Sequence, residues 1–128
     1  MIVTMCTQSY LDWIPYFYFS IRQYNKQIPI KLYLINVKPE DKELVQRTFP
    51  DIIIEEVNMH TELKETYNVY CRKEKVTFLK GRFMYESFNQ YKTPVLWIDI
   101  TAYIRTDLKE VFEALNENDV VLVRRNFK

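Results

Sequence analysis

Short apolar runs alternate along this chain with stretches of helical period, and that alternation restricts the fold more than any other feature. Ile2–Cys6 reads as a strand. Leu11–Asn25 follows as a helix, with Ile14, Phe17, Tyr18 and Ile21 at the i, i+3, i+4, i+7 spacing of an apolar stripe and Pro15 tolerated in its first turn. Lys31–Asn36 reads as the second strand. Pro39–Phe49 reads as a helix that turns Leu44, Val45 and Phe49 inward and is stopped by Pro50 and Asp51. Ile52–Val57 is the third strand. Val76–Tyr91 is a helix whose Leu79, Phe83, Phe88 and Tyr91 share a face loosely. Val95–Ile98 is the fourth strand, read as buried on both faces. A helix carrying Leu108, Val111, Phe112 and Leu115 follows, capped by Thr106 or Asp107. Val120–Val123 is a fifth strand. Asn58–Glu74 shows no clean period, and no repeat or low-complexity tract occurs.

Strand–helix alternation implies right-handed crossovers and a mostly parallel sheet covered on both sides, a three-layer α/β/α, Rossmann-like domain. The first three strands wind one way, so the expected order is 3-2-1-4 with a further strand. Strands one and four then meet at the switch point, where a crevice opens at their carboxyl ends. Two segments face it: Cys6–Tyr10 and Asp99–Thr101.

With 128 residues the chain is expected to be one domain with a single core. Lys and Arg number 18 against 17 for Asp and Glu, so no net field favours bulk nucleic acid. The single glycine, Gly81, rules out a P-loop and a G-x-G-x-x-G turn, both of which need glycines so that backbone can approach phosphate. A nucleotide would have to be held by side chains, ordinary backbone or a metal. Gly81 lies inside a helix, where it costs up to about 1 kcal/mol relative to alanine, which implies that close packing demands a small residue there. Cys6 and Cys71 match neither a disulfide framework nor a zinc site, and Cys6 reads as a small core residue. A strand starting at Ile2 leaves no room for a signal peptide, and no apolar run nears the ~20 residues of a membrane span. The expected setting is reducing and cytoplasmic, with no membrane span and no nucleic-acid partner.

Asp99 ends the apolar run Val95-Leu96-Trp97-Ile98. A carboxylate there can hold Mg²⁺ or Mn²⁺, with Thr101 adding a hydroxyl but no charge. Alternatively Asp99 caps a turn or pairs with Arg105. Thr7, Gln8, Ser9 and Tyr10 lead into a helix, where N–H and hydroxyl groups suit an anion and Tyr10 suits stacking on a base. The competing reading is capping by Ser9 or Asp12. Arg72, Lys73, Lys75, Lys80 and Arg82 form a basic run that reads chiefly as a solvated face. Arg82 is the exception, placed to meet Asp99 or a phosphate. His60 is isolated and reads as a loop residue.

The stretch KVTFLKGRFMYESFNQYKTPVLWIDITAYIRTDLKEVFEAL, Lys75–Leu115, resembles the donor-binding segment of GT-A-fold glycosyltransferases, notably the glycogenin-like group of nucleotide-diphospho-sugar transferases. The start, VTMCTQSYLDWIPYFYFSIRQYNKQIPIKLYLIN, is similar to the first strand, nucleotide-contacting loop, helix and second strand of that family. The resemblance implies that Thr7, Gln8, Ser9 and Tyr10 touch the nucleotide, usually uridine diphosphate. It implies that Asp99 is the first acid of an Asp-x-Asp motif contacting donor ribose and metal (Mn²⁺ or Mg²⁺), and that Lys80 or Arg82 lies near the sugar or phosphates. Thr101 stands where the second acid belongs. The resemblance covers the nucleotide-sugar half and not the acceptor-binding half. The expectation is a GT-A-like domain that binds a UDP-sugar and transfers a hexose to an acceptor. The alternative is a non-catalytic nucleotide-sugar or protein-binding module of the same fold with a degenerate metal motif.

Overall fold

The computed structural model describes residues 1–58 and 72–117, with 72–78 described as backbone. A parallel four-stranded sheet runs in the order β3-β2-β1-β4. Its strands are β1 (Ile2–Thr7), β2 (Ile30–Ile35), β3 (Ile52–Val57) and β4 (Leu96–Trp97). The helices are α1 (Ile14–Tyr24), α2 (Pro39–Thr48), α3 (Arg72–Tyr91) and α4 (Lys109–Glu117). β1 pairs with β2 from Ile2 opposite Ile30 to Thr7 opposite Ile35, and β2 with β3 from Ile30 opposite Ile52 to Ile35 opposite Val57. The expected 3-2-1-4 order is therefore the observed one. The fifth strand expected at Val120–Val123 lies outside the described residues, as do His60 and Cys71.

Each face of the sheet carries its own apolar layer. Ile2, Cys6, Ile30, Leu32 and Leu34 face Ile14, Phe17 and Ile21 of α1, Val45 of α2, and Leu108 at the entry to α4. Val3, Tyr33, Ile35 and Val57 face Leu79 and Phe83 of α3. This is the three-layer α/β/α arrangement. The alternation is the period-two pleat of a strand acting on a sheet covered twice.

Several local expectations are corrected. The first helix does not run continuously from Leu11. Gln8–Trp13 is a 3₁₀ segment, and the Ile14 N–H bonds back to Leu11 C=O three residues earlier. Pro15 has no N–H to give Leu11, so the α ladder cannot extend back through it. On α2, Val45 and Phe49 are buried but Leu44 is half exposed at 51%. An i, i+4 pair makes the narrow stripe, and Leu44 lies outside it. Phe88 on α3 is likewise exposed. β4 is not buried on both faces. It spans two half-buried residues and is the outer strand among the described residues.

The α3 layer is fixed by polar as well as apolar contacts. Tyr33 stacks on Phe83 with ring centroids 3.9 Å apart, and its hydroxyl pairs with Ser87 Oγ at 2.9 Å. The Lys31 side chain is fully buried among these groups. Its Nζ donates to Gln90 Oε1 at 2.9 Å and to Glu55 Oε2 at 2.7 Å, over the Tyr33 and Tyr91 rings. Burial works against its charge, but the Glu55 carboxylate and the Tyr33 hydroxyl outweigh it and hold the ammonium above its usual pKa. On the other face, buried Asn25 joins α1 to the entry of α4. Its Nδ2 donates to Thr106 C=O at 3.1 Å, and its Oδ1 accepts from Leu108 N–H at 2.8 Å. Asp107 accepts from Lys109 N–H at 2.8 Å, the cap expected there.

Three substitutions test this account by urea unfolding. A Cβ on Gly81 would meet no described atom within 4 Å, so the described residues give no packing reason for glycine. Gly81→Ala is expected to stabilise the chain by about 0.5–1 kcal/mol. The Thr4 hydroxyl is buried with no hydrogen-bond partner among the described residues, so Thr4→Val is expected to raise stability by about 1 kcal/mol. Asn25→Ala strands the buried Leu108 N–H and removes the partly buried bond to Thr106 C=O, and is expected to cost about 1–3 kcal/mol.

Candidate functional site

The junction of β1 and β4 is the switch point of this sheet. Ile2 lies opposite Leu96 and Val3 opposite Trp97, and Ile98 N–H donates to Val3 C=O at 3.1 Å. Extending that register by two residues sets Asp99 level with Met5, about 7 Å of strand short of Thr7. Both segments therefore leave the sheet at its carboxyl edge.

Asp99 opens a turn closed by Ala102 N–H donating to Asp99 C=O at 2.9 Å, a position that suits aspartate. Ile100 is buried and anchors the turn, while the Asp99 side chain keeps 59% of its surface exposed. Its Oδ1 accepts from Lys80 Nζ at 2.7 Å and from Trp97 Nε1 at 2.9 Å. Lys80 Nζ also lies 5.5 Å from the centre of the Trp97 ring. Partial burial pushes the Asp99 carboxyl up, but the Lys80 and Trp97 bonds more than offset it, so the group sits below its usual pKa. The partner is Lys80, not Arg105.

Of the two basic candidates on α3, Lys80 reaches Asp99. Arg82 Nε instead donates to Glu86 Oε1 at 2.7 Å on its own helix. Residues two apart on a helix do not share a face, so both cannot serve one site. Trp97 is the residue that sequence reasoning missed, having been read as an apolar strand residue. The available signal was its place two residues before Asp99, because side chains at i and i+2 of a strand lie on one face.

The loop after β1 is arranged differently from a simple anion cradle. Gln8 is engaged at both ends of its amide. Nε2 donates to Asp41 Oδ2 at 2.6 Å, and Oε1 accepts from Lys38 N–H at 3.0 Å, so the side chain caps the start of α2. Thr7 and Ser9 share a hydroxyl contact of 3.3 Å, and Ser9 and Tyr10 are exposed. Neither Ser9 nor Asp12 caps a helix with its side chain. Cys6 is buried as expected, and burial pushes its thiol up to about 12, so it is neutral and unreactive.

The donor set was tested for a divalent ion and does not fit one. Among the described residues no three His, Cys, Asp or Glu side chains come together as a metal site. Thr101 is exposed and neutral, and one oxygen of Asp99 already carries an ammonium and an indole N–H. Two surface grooves lie elsewhere. One of about 540 Å³, at the amino end of the strands, is lined by Tyr24, Asn25 and Phe112. Another of about 390 Å³, beside the ends of β2 and β3, is lined by Asn36, Lys38 and Glu56. Neither includes a candidate site residue.

No protein-family model and no curated protein matches the sequence. Solved structures do. An active-site variant of LgtC matches with a TM-score of 0.60 at 14% identity, over 86% of this chain and 40% of that one. The galactosyltransferase LgtC in complex with donor and acceptor sugar analogs matches with a TM-score of 0.57 at 14% identity, over 86% of this chain and 41% of that one. The chain thus spans about two fifths of the length of these structures. At such identity the likeness concerns architecture, and with the 3-2-1-4 parallel sheet it establishes that the chain has the Rossmann-like α/β fold of GT-A glycosyltransferases.

Proposed function

We propose that this chain is the nucleotide-sugar-binding part of a glycosyltransferase and binds a nucleotide-diphospho-sugar, with uridine diphosphate the favoured nucleotide, at the β1–β4 crevice. The observation that carries the reading is the exposed Asp99 carboxylate at the lip of the switch point, steadied by Lys80 and Trp97. The fold likeness to a galactosyltransferase solved in complex with donor and acceptor sugar analogs supports the nucleotide-sugar reading.

In this reading Tyr10, 45% exposed, stacks on the base. The Thr7 and Ser9 hydroxyls contact the nucleotide. The free oxygen of Asp99 accepts from a sugar hydroxyl, and the Lys80 ammonium faces the diphosphate. Gln8 supports the loop through α2, to which both ends of its amide are bonded. Arg82, paired with Glu86 on another face of α3, takes no part in this reading. Transfer of a hexose leaves negative charge on the departing diphosphate, and a fixed cation beside it lowers the barrier. A second reading, a nucleotide-sugar-binding module without turnover, is favoured by one observation: the acid of the motif is already ion-paired.

Calorimetric titration with UDP, UDP-glucose and UDP-galactose in EDTA tests the proposal. Saturable binding is expected, and Tyr10→Ala is expected to weaken it about tenfold through lost stacking. No heat at ~1 mM UDP, in the range of the weakest physiological KM values, ends the reading. UDP released on long incubation with a UDP-sugar selects the enzyme, and binding without release selects the module.

A further inference from the structure

We infer that the Lys80 ammonium is the built-in counter-cation of this crevice, taking the place that a divalent ion would hold between Asp99 and an anionic ligand. Three independent features converge. The ammonium sits 2.7 Å from Asp99 Oδ1, and the same oxygen accepts from the Trp97 indole. The position two residues on is Thr101, so among the described residues the motif carries one acid charge, matched by one ammonium. The helix that carries Lys80 is not free to swing away. α3 is held to the sheet by the Tyr33–Phe83 stack, the Tyr33–Ser87 hydroxyl pair and the Lys31–Gln90 bond.

The charge balance explains why the ion and the lysine exclude each other. A divalent cation on Asp99 would have to displace the ammonium and then remain next to it, two positive centres sharing one carboxylate. An ammonium has three N–H donors. Asp99 takes one, and Lys80 keeps about a third of its side-chain surface exposed, so the remaining donors are available to a phosphate oxygen. The pair therefore presents a cation to a diphosphate with no metal interposed. The part of the inference that concerns the diphosphate rests on the nucleotide reading above, whereas the part that concerns the ion does not.

The ion is tested first and alone, by the free Mn²⁺ signal in electron paramagnetic resonance. The unmodified chain is expected to leave that signal undiminished at ~1 mM Mn²⁺, the weak end of protein divalent-ion sites. Saturable binding that Asp99→Asn abolishes overturns the inference. Thr101→Asp is then compared with the double change Lys80→Met and Thr101→Asp. The double variant is expected to bind Mn²⁺ at least about tenfold more tightly, the effect of removing one close like charge. Equal affinities, or a folded double variant that binds no Mn²⁺, show that Lys80 is not what keeps the ion out and overturn the inference. The second arm uses UDP. Its affinity is expected to be the same in EDTA and in Mn²⁺, to fall about tenfold or more in Lys80→Met, and to survive in Lys80→Arg. A tenfold gain on adding Mn²⁺ overturns the inference. If UDP binds under neither condition the nucleotide reading fails, and the Mn²⁺ measurements still decide the claim about the ion.

Discussion

The switch point exists because β4 pairs with β1 and not with β3. That pairing is short, two residues of register with Leu96 N–H donating to Met1 C=O at 2.9 Å and Ile98 N–H to Val3 C=O at 3.1 Å. It nevertheless reverses the direction in which strands are added, and the reversal sends the loops after β1 and β4 apart. So brief a ladder cannot hold the strand by backbone alone. Leu96 and Ile98 pack against the α1 side and Val95 and Trp97 against the α3 side. The switch point is thus secured by both helical layers, and Asp99 inherits its position from their packing.

The α3 side is the less ordinary of the two layers, because its centre holds a buried lysine. Taking Lys31 out of water is costly, and a single carboxylate seldom repays the loss. Here the ammonium also meets an amide oxygen and two aromatic faces, so its donors and its charge are both met. Such a cluster is more directional than an apolar contact. It fixes how far α3 has rotated about its own axis, and that rotation decides that Lys80, and not Arg82, points toward Asp99. The specificity of a polar cluster in the core and the chemistry of a site at the surface are linked through one helix.

Much of this was legible in the sequence. Alternating periods specified the parallel sheet, its order and the location of the switch point, because apolar runs of strand length separated by helices leave few right-handed arrangements. The misreadings came from polar residues doing the work of apolar ones. The α3 stripe seemed irregular because its inward positions are Leu79, Phe83, Ser87 and Tyr91, an i, i+4 series in which serine fills an inward place by bonding Tyr33. Phe88 has the hydrophobicity of that stripe but lies off it and is exposed. Nothing in the local sequence shows that Lys38 and Asp41, some thirty residues on, bond both ends of the Gln8 amide. Local patterns report faces; they do not report which distant partner a polar side chain will meet.

Glycine scarcity connects the fold to the character of the site. A chain with one glycine, placed inside α3, has no loop at the crevice where bare backbone can close around phosphate. In the proposed reading an anion is met by side chains and ordinary backbone, and a side chain carries useful charge to the switch point only if its own element is rigid. Lysine on a surface loop would lose too much conformational freedom on binding. Lys80 avoids most of that loss by leaning on the Trp97 ring and on Asp99 before any ligand arrives. The carboxylate that looked like a metal ligand in the sequence is, in the folded chain, one of the two groups that hold a cation in place.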